Sequence, residues 1–203
     1  MGLELVALPP AELVALVVAT SFAAGLSVPV TVATIGLLAR TGAVVLPPSL
    51  DPLASWWVMG GALALFAIEF VADKTPVIDL VWNALQTFIR VPAGALLAYG
   101  ATAQLSPGQQ LLAALLGGVV ALAAHGGKAA MHATANASPE PFSNTIIGLG
   151  EDALAIFLTW FATEHPFLAA GIAVVLLGTI AMLIHVVWRA LRGLFRRPAR
   201  ATG

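Results

Sequence analysis

The sequence contains no cysteine and very few charged residues. Without cysteine, the chain can form neither a disulfide framework nor a thiolate metal site. Charged residues make up 9% of the 203 positions, whereas ordinary soluble domains contain about 25%. The net charge of -1 lacks the basic excess that nucleic-acid binding requires. These deficits argue against a soluble domain and predict that nucleic acid is not a partner.

Apolar residues make up 60% of the chain, and its mean hydropathy is +0.96. An apolar helix of about 20 residues is long enough to cross a bilayer, and the sequence contains several such runs. We therefore predict an all-α, polytopic integral membrane protein with the lipid bilayer as its partner. The predicted spans, about six in number, are Ala11–Ala39, Trp56–Ala72, Val77–Ala103, Gln109–Ala124, Asn144–Ala162 and Phe167–Trp188.

The distribution of arginine predicts the orientation of the chain. Five arginines lie in the basic tail over residues 189–203, and positive charge favours the cytoplasmic side of a membrane. An even number of spans then places both termini in the cytoplasm. The sequence thus predicts one multi-pass transmembrane domain over residues 1–203, located in the cytoplasmic (inner) membrane.

An internal similarity indicates duplication. The segment "GGALALFA" from Gly60 resembles "GGVVALAA" from Gly117, and a proline followed by a helix with a polar stripe comes after each. This pattern predicts repeated hairpins over residues 56–103 and 109–163, with some segments broken or re-entrant. Transporters build central binding sites from repeats whose helices are interrupted by proline and glycine.

Polar residues follow Pro76 at helical spacing. Asp79, Asn83, Gln86 and Arg90 fall on about a third of a helix circumference at about 100° per residue. Because an ionisable group facing lipid costs several kcal/mol, this stripe must face other polar groups or water. Arg90 lies ~20 Å along the helix at 1.5 Å per residue, and we predict that it pairs with Glu151 or Asp152. A salt bridge that only fixes helix packing would show the same pattern.

Polar faces occur on four other segments, the one at Thr20–Thr34 being weaker, which predicts a buried polar centre built from several helices. The candidate substrate or ion pathway consists of Glu69, Asp73, Lys74, Asp79, Asn83, Gln86, Arg90, Lys128, Asn144, Glu151 and Asp152. His125 and His132, together with nearby carboxylates, are candidate ligands of a divalent metal. Their spacing of seven differs from the four-residue spacing of HExxH.

Two motifs resemble a known family. The segment "ADKTPVID", followed by R-x-P-x-G at Arg90, and the later "SNTIIGLGEDALA" resemble a family of small polytopic bacterial membrane proteins known only as a domain of unknown function. The resemblance extends from about Thr20 to Trp188. It implies no established activity, but it groups the polar residues of these motifs, such as Asp73, Asp79 and Glu151, into one functional centre.

The function predicted from these features is that of a transporter or channel for a small solute or ion. The acidic residues would bind cations or relay protons, and Arg90, Lys74 and Lys128 would balance them or hold an anionic group. The sequence identifies no cofactor and leaves proton or metal-ion coupling as a candidate, and the abundant small residues predict a homo-oligomer. One alternative is an intramembrane enzyme or lipid-handling protein at the cytoplasmic leaflet. Another is a structural scaffold, and no catalytic residue is assigned.

Overall fold

A computed structural model describes residues 3–4, 8–72, 76–136 and 142–195. Within these ranges the chain forms seven α-helices, a short 3-10 helix at Asp51–Ala54 and two very short parallel strands, β1 (Leu3–Glu4) and β2 (Val44–Val45). The helices are α1 (Pro10–Leu26), α2 (Val28–Arg40), α3 (Trp56–Ala72), α4 (Pro76–Ala101), α5 (Pro107–Asn136), α6 (Phe142–Glu164) and α7 (Pro166–Phe195). The predicted all-α class is confirmed.

The segment predicted as the first span, Ala11–Ala39, is two helices joined at Ser27. Ser27 has extended backbone angles, φ -155° and ψ 103°, which interrupt the helix. Pro29 explains the interruption because proline has no N–H and its ring clashes with the carbonyl of the residue four positions earlier. A broken segment was predicted, and this is where the break lies.

Helix α1 is the central element of the fold. It packs against α4, α5, α6 and α7, and most of its residues from Leu13 onwards are buried. Helix α2 instead packs against α3 and α6. Because α1 is surrounded by other helices, the end of α1 at Leu26 lies inside the protein, close to the polar faces of its neighbours.

Three described helical segments are long and apolar enough to cross a membrane: Pro107–His132, Thr145–Glu164 and Pro166–Val186. Helices α1, α2 and α3 are apolar but shorter. Helix α4 has 26 residues, but its polar face keeps it out of this group. The fold is therefore compatible with a membrane protein, with three candidate spans in the described chain, whereas the count of six remains a prediction.

The predicted basic tail begins within α7, which continues to Phe195 and so includes Arg189 and Arg192. Residues 196–203 lie outside the described chain. The guanidinium of Arg192 lies over the Trp188 ring, with Cζ 4.9 Å from its centroid. The first part of the tail is thus a continuation of the last helix.

Glycines bring α4 and α5 close together. A Cβ added at Gly117 would lie 2.6 Å from the Gly94 carbonyl oxygen and 2.8 Å from Ser21 Oγ. Both distances are shorter than an ordinary van der Waals contact, so no side chain fits there. At the neighbouring Gly118, an added Cβ would meet nothing closer than Ala95 Cβ at 3.5 Å.

This difference gives a stability prediction. We expect Gly117→Ala to destabilise the protein by about 1–3 kcal/mol, as overpacked cores do, and to lower the thermal unfolding midpoint in detergent micelles. Gly118→Ala is the matched control. Both substitutions lower the backbone entropy cost of the same helix by up to about 1 kcal/mol, but only Gly117 is tightly packed. Equal midpoints for the two variants would contradict the packing described here.

Candidate functional site

The ends and faces of five helices meet in one buried cluster of polar side chains, which we call the charged centre. Its members are Glu69 on α3, Gln86 and Arg90 on α4, His125, Lys128 and His132 on α5, and Glu151 on α6. Each of these side chains is less than a tenth exposed. The C-terminal end of α1 lies against the cluster.

Arg90 contacts four residues in and beside the charged centre. Its side chain is fully buried, with 0% exposure. Its Nη2 donates to the carboxylate of Glu69, and its Nε donates to Gln86 Oε1 at 2.6 Å. Its Nη1 donates to the carbonyl oxygen of Gly25 at 3.1 Å and lies 3.2 Å from His125 Nδ1. The guanidinium thus contacts α1, α3 and α5 as well as its own helix.

The break after α1 makes the Gly25 carbonyl available to Arg90. In a continuous helix this carbonyl would accept from the N–H of residue 29, but Pro29 has none. The next carbonyl, Leu26, lies 3.4 Å from Lys128 Nζ, which donates to it. A helix C-terminus carries partial negative charge and favours nearby cations. The break therefore presents two carbonyl oxygens to two buried cations.

Lys128 joins the two carboxylates of the centre. Its Nζ lies 3.0 Å from Glu69 Oε1 and 3.2 Å from Glu151 Oε2. Glu151 Oε2 is also 3.2 Å from His132 Nε2. With the Arg90–Glu69 pair, these contacts form a continuous chain of charged and polar groups from α4 through α3 and α5 to α6.

The contacts of His125 define its tautomer. Its Nε2 lies 3.0 Å from the Asn83 carbonyl oxygen, which can only accept. Its Nδ1 faces Arg90 Nη1, which can only donate. We therefore assign His125 as a neutral imidazole that donates from Nε2 and accepts at Nδ1. The Nε2–H also points toward Thr87 Oγ1 at 2.8 Å.

The two histidines predicted as metal ligands have separate surroundings. His125 lies against Arg90, and His132 contacts Glu151 two helical turns later. The nitrogen of His125 that could accept a metal already accepts from a guanidinium. Among the residues that the structure describes, no three His, Cys, Asp or Glu side chains are grouped to hold a metal ion.

The amphipathic face predicted for α4 is observed. Asn83, Gln86 and Arg90 are buried, while Phe88 on the opposite side is 80% exposed. The polar face of α5 is buried as well, and it carries His125, Lys128 and His132. The described members of the predicted pathway are brought together, although their role in a pathway remains a prediction.

The predicted partner of Arg90 was wrong. Its carboxylate is Glu69 on α3 rather than Glu151 or Asp152 on α6, and Glu151 pairs with Lys128 instead. The reason is that α5 supplies a second cation, Lys128, which pairs with the Glu151 carboxylate. Asp152 is half-buried and lies near Ser27.

Four predicted residues cannot be placed in the site. Asp73 and Lys74 lie outside the described residues. Asp79 and Asn144 belong to α4 and α6, but their side chains lie outside the described part of the structure.

The sequence prediction missed the carbonyl groups of Gly25 and Leu26. The signal for Gly25 is Pro29, four positions later, which identifies the carbonyl that loses its helical partner. The position of Pro29 identifies the Gly25 carbonyl oxygen as an acceptor without a helical donor, but it does not identify the side chain that will contact this oxygen.

Comparison with known proteins gives one match. A family model described as "Domain of unknown function (DUF4126)" matches residues 14–186, which is most of the chain. No curated protein matches the sequence, and no solved structure matches the fold.

Proposed function

The chain belongs to the DUF4126 family, and on that premise we propose that it is a membrane protein that moves a small ion or solute through the charged centre. The observation that carries the proposal is the buried chain Arg90–Glu69–Lys128–Glu151, placed where α1 is interrupted. Broken helices that present carbonyl groups beside charged side chains are how many transporters hold ions.

The energetic cost of the centre supports a functional role. Ionisable groups inside a membrane protein are expensive and commonly mark ion or substrate paths. Buried ion pairs rarely add stability over apolar residues of similar size. Four charged side chains from four helices therefore need a reason beyond holding the fold together.

The scaffold alternative predicts that every buried polar group is paired. One carboxylate oxygen of the centre, Glu151 Oε1, is buried and has no hydrogen-bond partner among the described residues. Such atoms are rare in native proteins, and its presence counts against a purely structural centre. For the enzyme alternative, Ser21 is fully buried and its hydroxyl donates to the Gly94 carbonyl oxygen at 3.3 Å, where no base activates it.

A small cavity, lined mainly by apolar residues, lies beside α1. It has a volume of about 30 Å³, room for about two waters at 10–15 Å³ each. Thr20, Thr159 and Thr163 line it together with apolar residues. Thr20 precedes Gly25 by five residues, which is about 7.5 Å along the helix. The cavity thus lies roughly one and a half turns from the charged centre.

Four further features predicted from the sequence are also proposed here. They are a cytoplasmic membrane location with both termini in the cytoplasm, a bacterial origin, the duplicated hairpins and a homo-oligomer. In this arrangement the two hairpins correspond to α3 with α4 and to α5 with α6.

The test is ion flux in proteoliposomes that contain the purified protein, with dyes for protons, alkali cations and divalent cations. We expect Glu151→Gln to lower wild-type flux by about tenfold or more, equivalent to ~1.4 kcal/mol or above, because Lys128 loses a charged partner. Glu164→Gln is the matched control, since Glu164 is exposed at the end of the same helix. It should leave the flux unchanged.

Two outcomes would overturn the proposal. One is wild-type flux through folded Glu151→Gln. The other is no flux of any tested ion through folded wild-type protein under either direction of gradient. Circular dichroism and gel filtration of each variant establish that it is folded.

A further inference from the structure

The ammonium group of Lys128 occupies a position that is typical of a bound cation. Three oxygens surround it: Glu69 Oε1 at 3.0 Å, Glu151 Oε2 at 3.2 Å and the Leu26 carbonyl oxygen at 3.4 Å. They come from α3, α6 and the end of α1, and Lys128 itself comes from α5. Each of these three oxygens thus comes from a helix other than the one that supplies the ammonium.

An unused oxygen atom lies in the same part of the protein. Glu151 Oε1 is buried and has no partner within the described ranges of the chain. The neighbouring polar groups have partners, since Gln86 interacts with Glu69 and Ser27 interacts with Asp152. A buried unsatisfied polar atom costs free energy and calls for an explanation such as a missing ion or water.

The charges of the described side chains also favour a cation. Glu69 and Glu151 lie in the centre, and Asp152 is close enough to interact with both of them and with Lys128. Arg90 and Lys128 are the two described cations facing these three carboxylates. His125 is neutral by its hydrogen-bond pattern. With His132 also neutral, the described group contains three carboxylates and two cations.

We propose that these oxygens form a binding site for a monovalent alkali cation, which Lys128 fills as a tethered substitute until an ion replaces it. The inference rests on the proposed function, because it names the ion class that the charged centre would handle. Exchange of one ammonium for one alkali ion leaves the net charge of the site unchanged. The flexible four-carbon stem of lysine allows the ammonium to move away.

The geometry favours a monovalent ion over a divalent one. The Lys128–oxygen distances of 3.0–3.4 Å suit an ion of ammonium size. Mg²⁺ and Ca²⁺ require oxygens at about 2.0–2.6 Å, so the three helices would have to move inward to bind them. The site also consists of oxygen ligands, which suit hard cations rather than transition metals.

The experiment measures thermal unfolding of detergent-solubilised protein at fixed pH. KCl, NaCl and LiCl are titrated against choline chloride at constant ionic strength, and MgCl₂ is tested separately. We expect the midpoint of the wild-type protein to rise with K⁺, less with the smaller Na⁺ and Li⁺, and not with choline. Lys128→Met should show the same rise at a concentration about tenfold lower or less, since its competing ammonium is gone and tenfold corresponds to ~1.4 kcal/mol.

The double variant Lys128→Met with Glu151→Gln is the control for location, and it should lose most of the response. If Lys128→Met does not fold, the comparison uses single variants that keep Lys128. There the alkali response must disappear in Glu151→Gln and persist in Glu164→Gln, whose change lies on the exposed end of the same helix.

Three results would overturn the inference. They are equal midpoints in alkali and choline salts for folded protein, a response to Mg²⁺ alone, and a response unchanged by Glu151→Gln. The binding experiment uses no membrane gradient. Alkali binding without flux would therefore refute the proposed function and leave the site in place, while flux without this binding would refute only the inference.

Discussion

Arg90→Met is expected to lower the free energy of unfolding by about 3–5 kcal/mol, the cost of breaking a buried ion pair by removing one partner. The substitution leaves the buried Glu69 carboxylate with less compensating charge. It also removes the donor to the Gly25 carbonyl oxygen and to Gln86 Oε1. Denaturant unfolding of the reconstituted or detergent-solubilised protein measures the change.

Arg40→Met provides the matched comparison for Arg90. Arg40 is exposed at the end of α2, donates to the Ala54 carbonyl oxygen at 2.9 Å and lies over the Trp56 ring at 3.9 Å. An exposed cation–π contact of this kind is worth about 0.5–1 kcal/mol, so its loss should be small. If both substitutions cost the same, the buried network around Arg90 does not stabilise the fold as described.

Pro29→Ala is expected to abolish most of the proposed flux while the protein stays folded. Alanine restores an N–H at position 29, and this group competes with Arg90 for the Gly25 carbonyl oxygen. Continuing the helix through Ser27 would also turn the Leu26 carbonyl away from Lys128. The charged centre would then lose both of its contacts with α1.

Hydrogen–deuterium exchange measures this change directly. The amides of Val28 and Val30 should exchange more slowly in Pro29→Ala, since a regular helix gives them acceptors, whereas the Thr31 amide already donates to the Ser27 carbonyl oxygen at 3.1 Å. Pro107→Ala is the control, because Pro107 begins α5 after the turn that follows α4, where the N–H has no helical partner in any case. Unchanged exchange together with wild-type flux in Pro29→Ala would show that Pro29 does not maintain the break.

The polar face of α4 was predictable because helical periodicity is a local property. Asn83, Gln86 and Arg90 recur at intervals of three and four residues, and such positions share one side of any α-helix. The cost of placing them in lipid then predicts that they face the protein interior. No knowledge of the neighbouring helices is needed for that conclusion.

The identity of the partners was not predictable in the same way. Arg90 reaches Glu69 and Gly25, which are 21 and 65 residues away in sequence. Several carboxylates had suitable depth and spacing, and nothing local distinguishes them. The choice depends on which helices pack together, and that depends on close contacts such as Gly94 with Gly117.

The number of spans shows a second limit of the sequence. Hydropathy identified apolar runs, but the run Ala11–Ala39 joins two helices of 17 and 13 residues. Length alone cannot separate one long span from two short helices joined by a single extended residue. The proline supplies that information, and its effect on topology depends on how the surrounding helices cover the break.

The central position of α1 has a consequence for biosynthesis. All four helices that surround α1 come later in the chain, so its final packing waits until α7 has been made. In the earlier part of that interval, before α4 and α5 have been made, the interrupted end near Ser27 has no Arg90 or Lys128 beside it. A ribosome stalled before residue 166 would release a product with an uncovered first helix, which we expect membrane quality-control proteases to recognise and degrade.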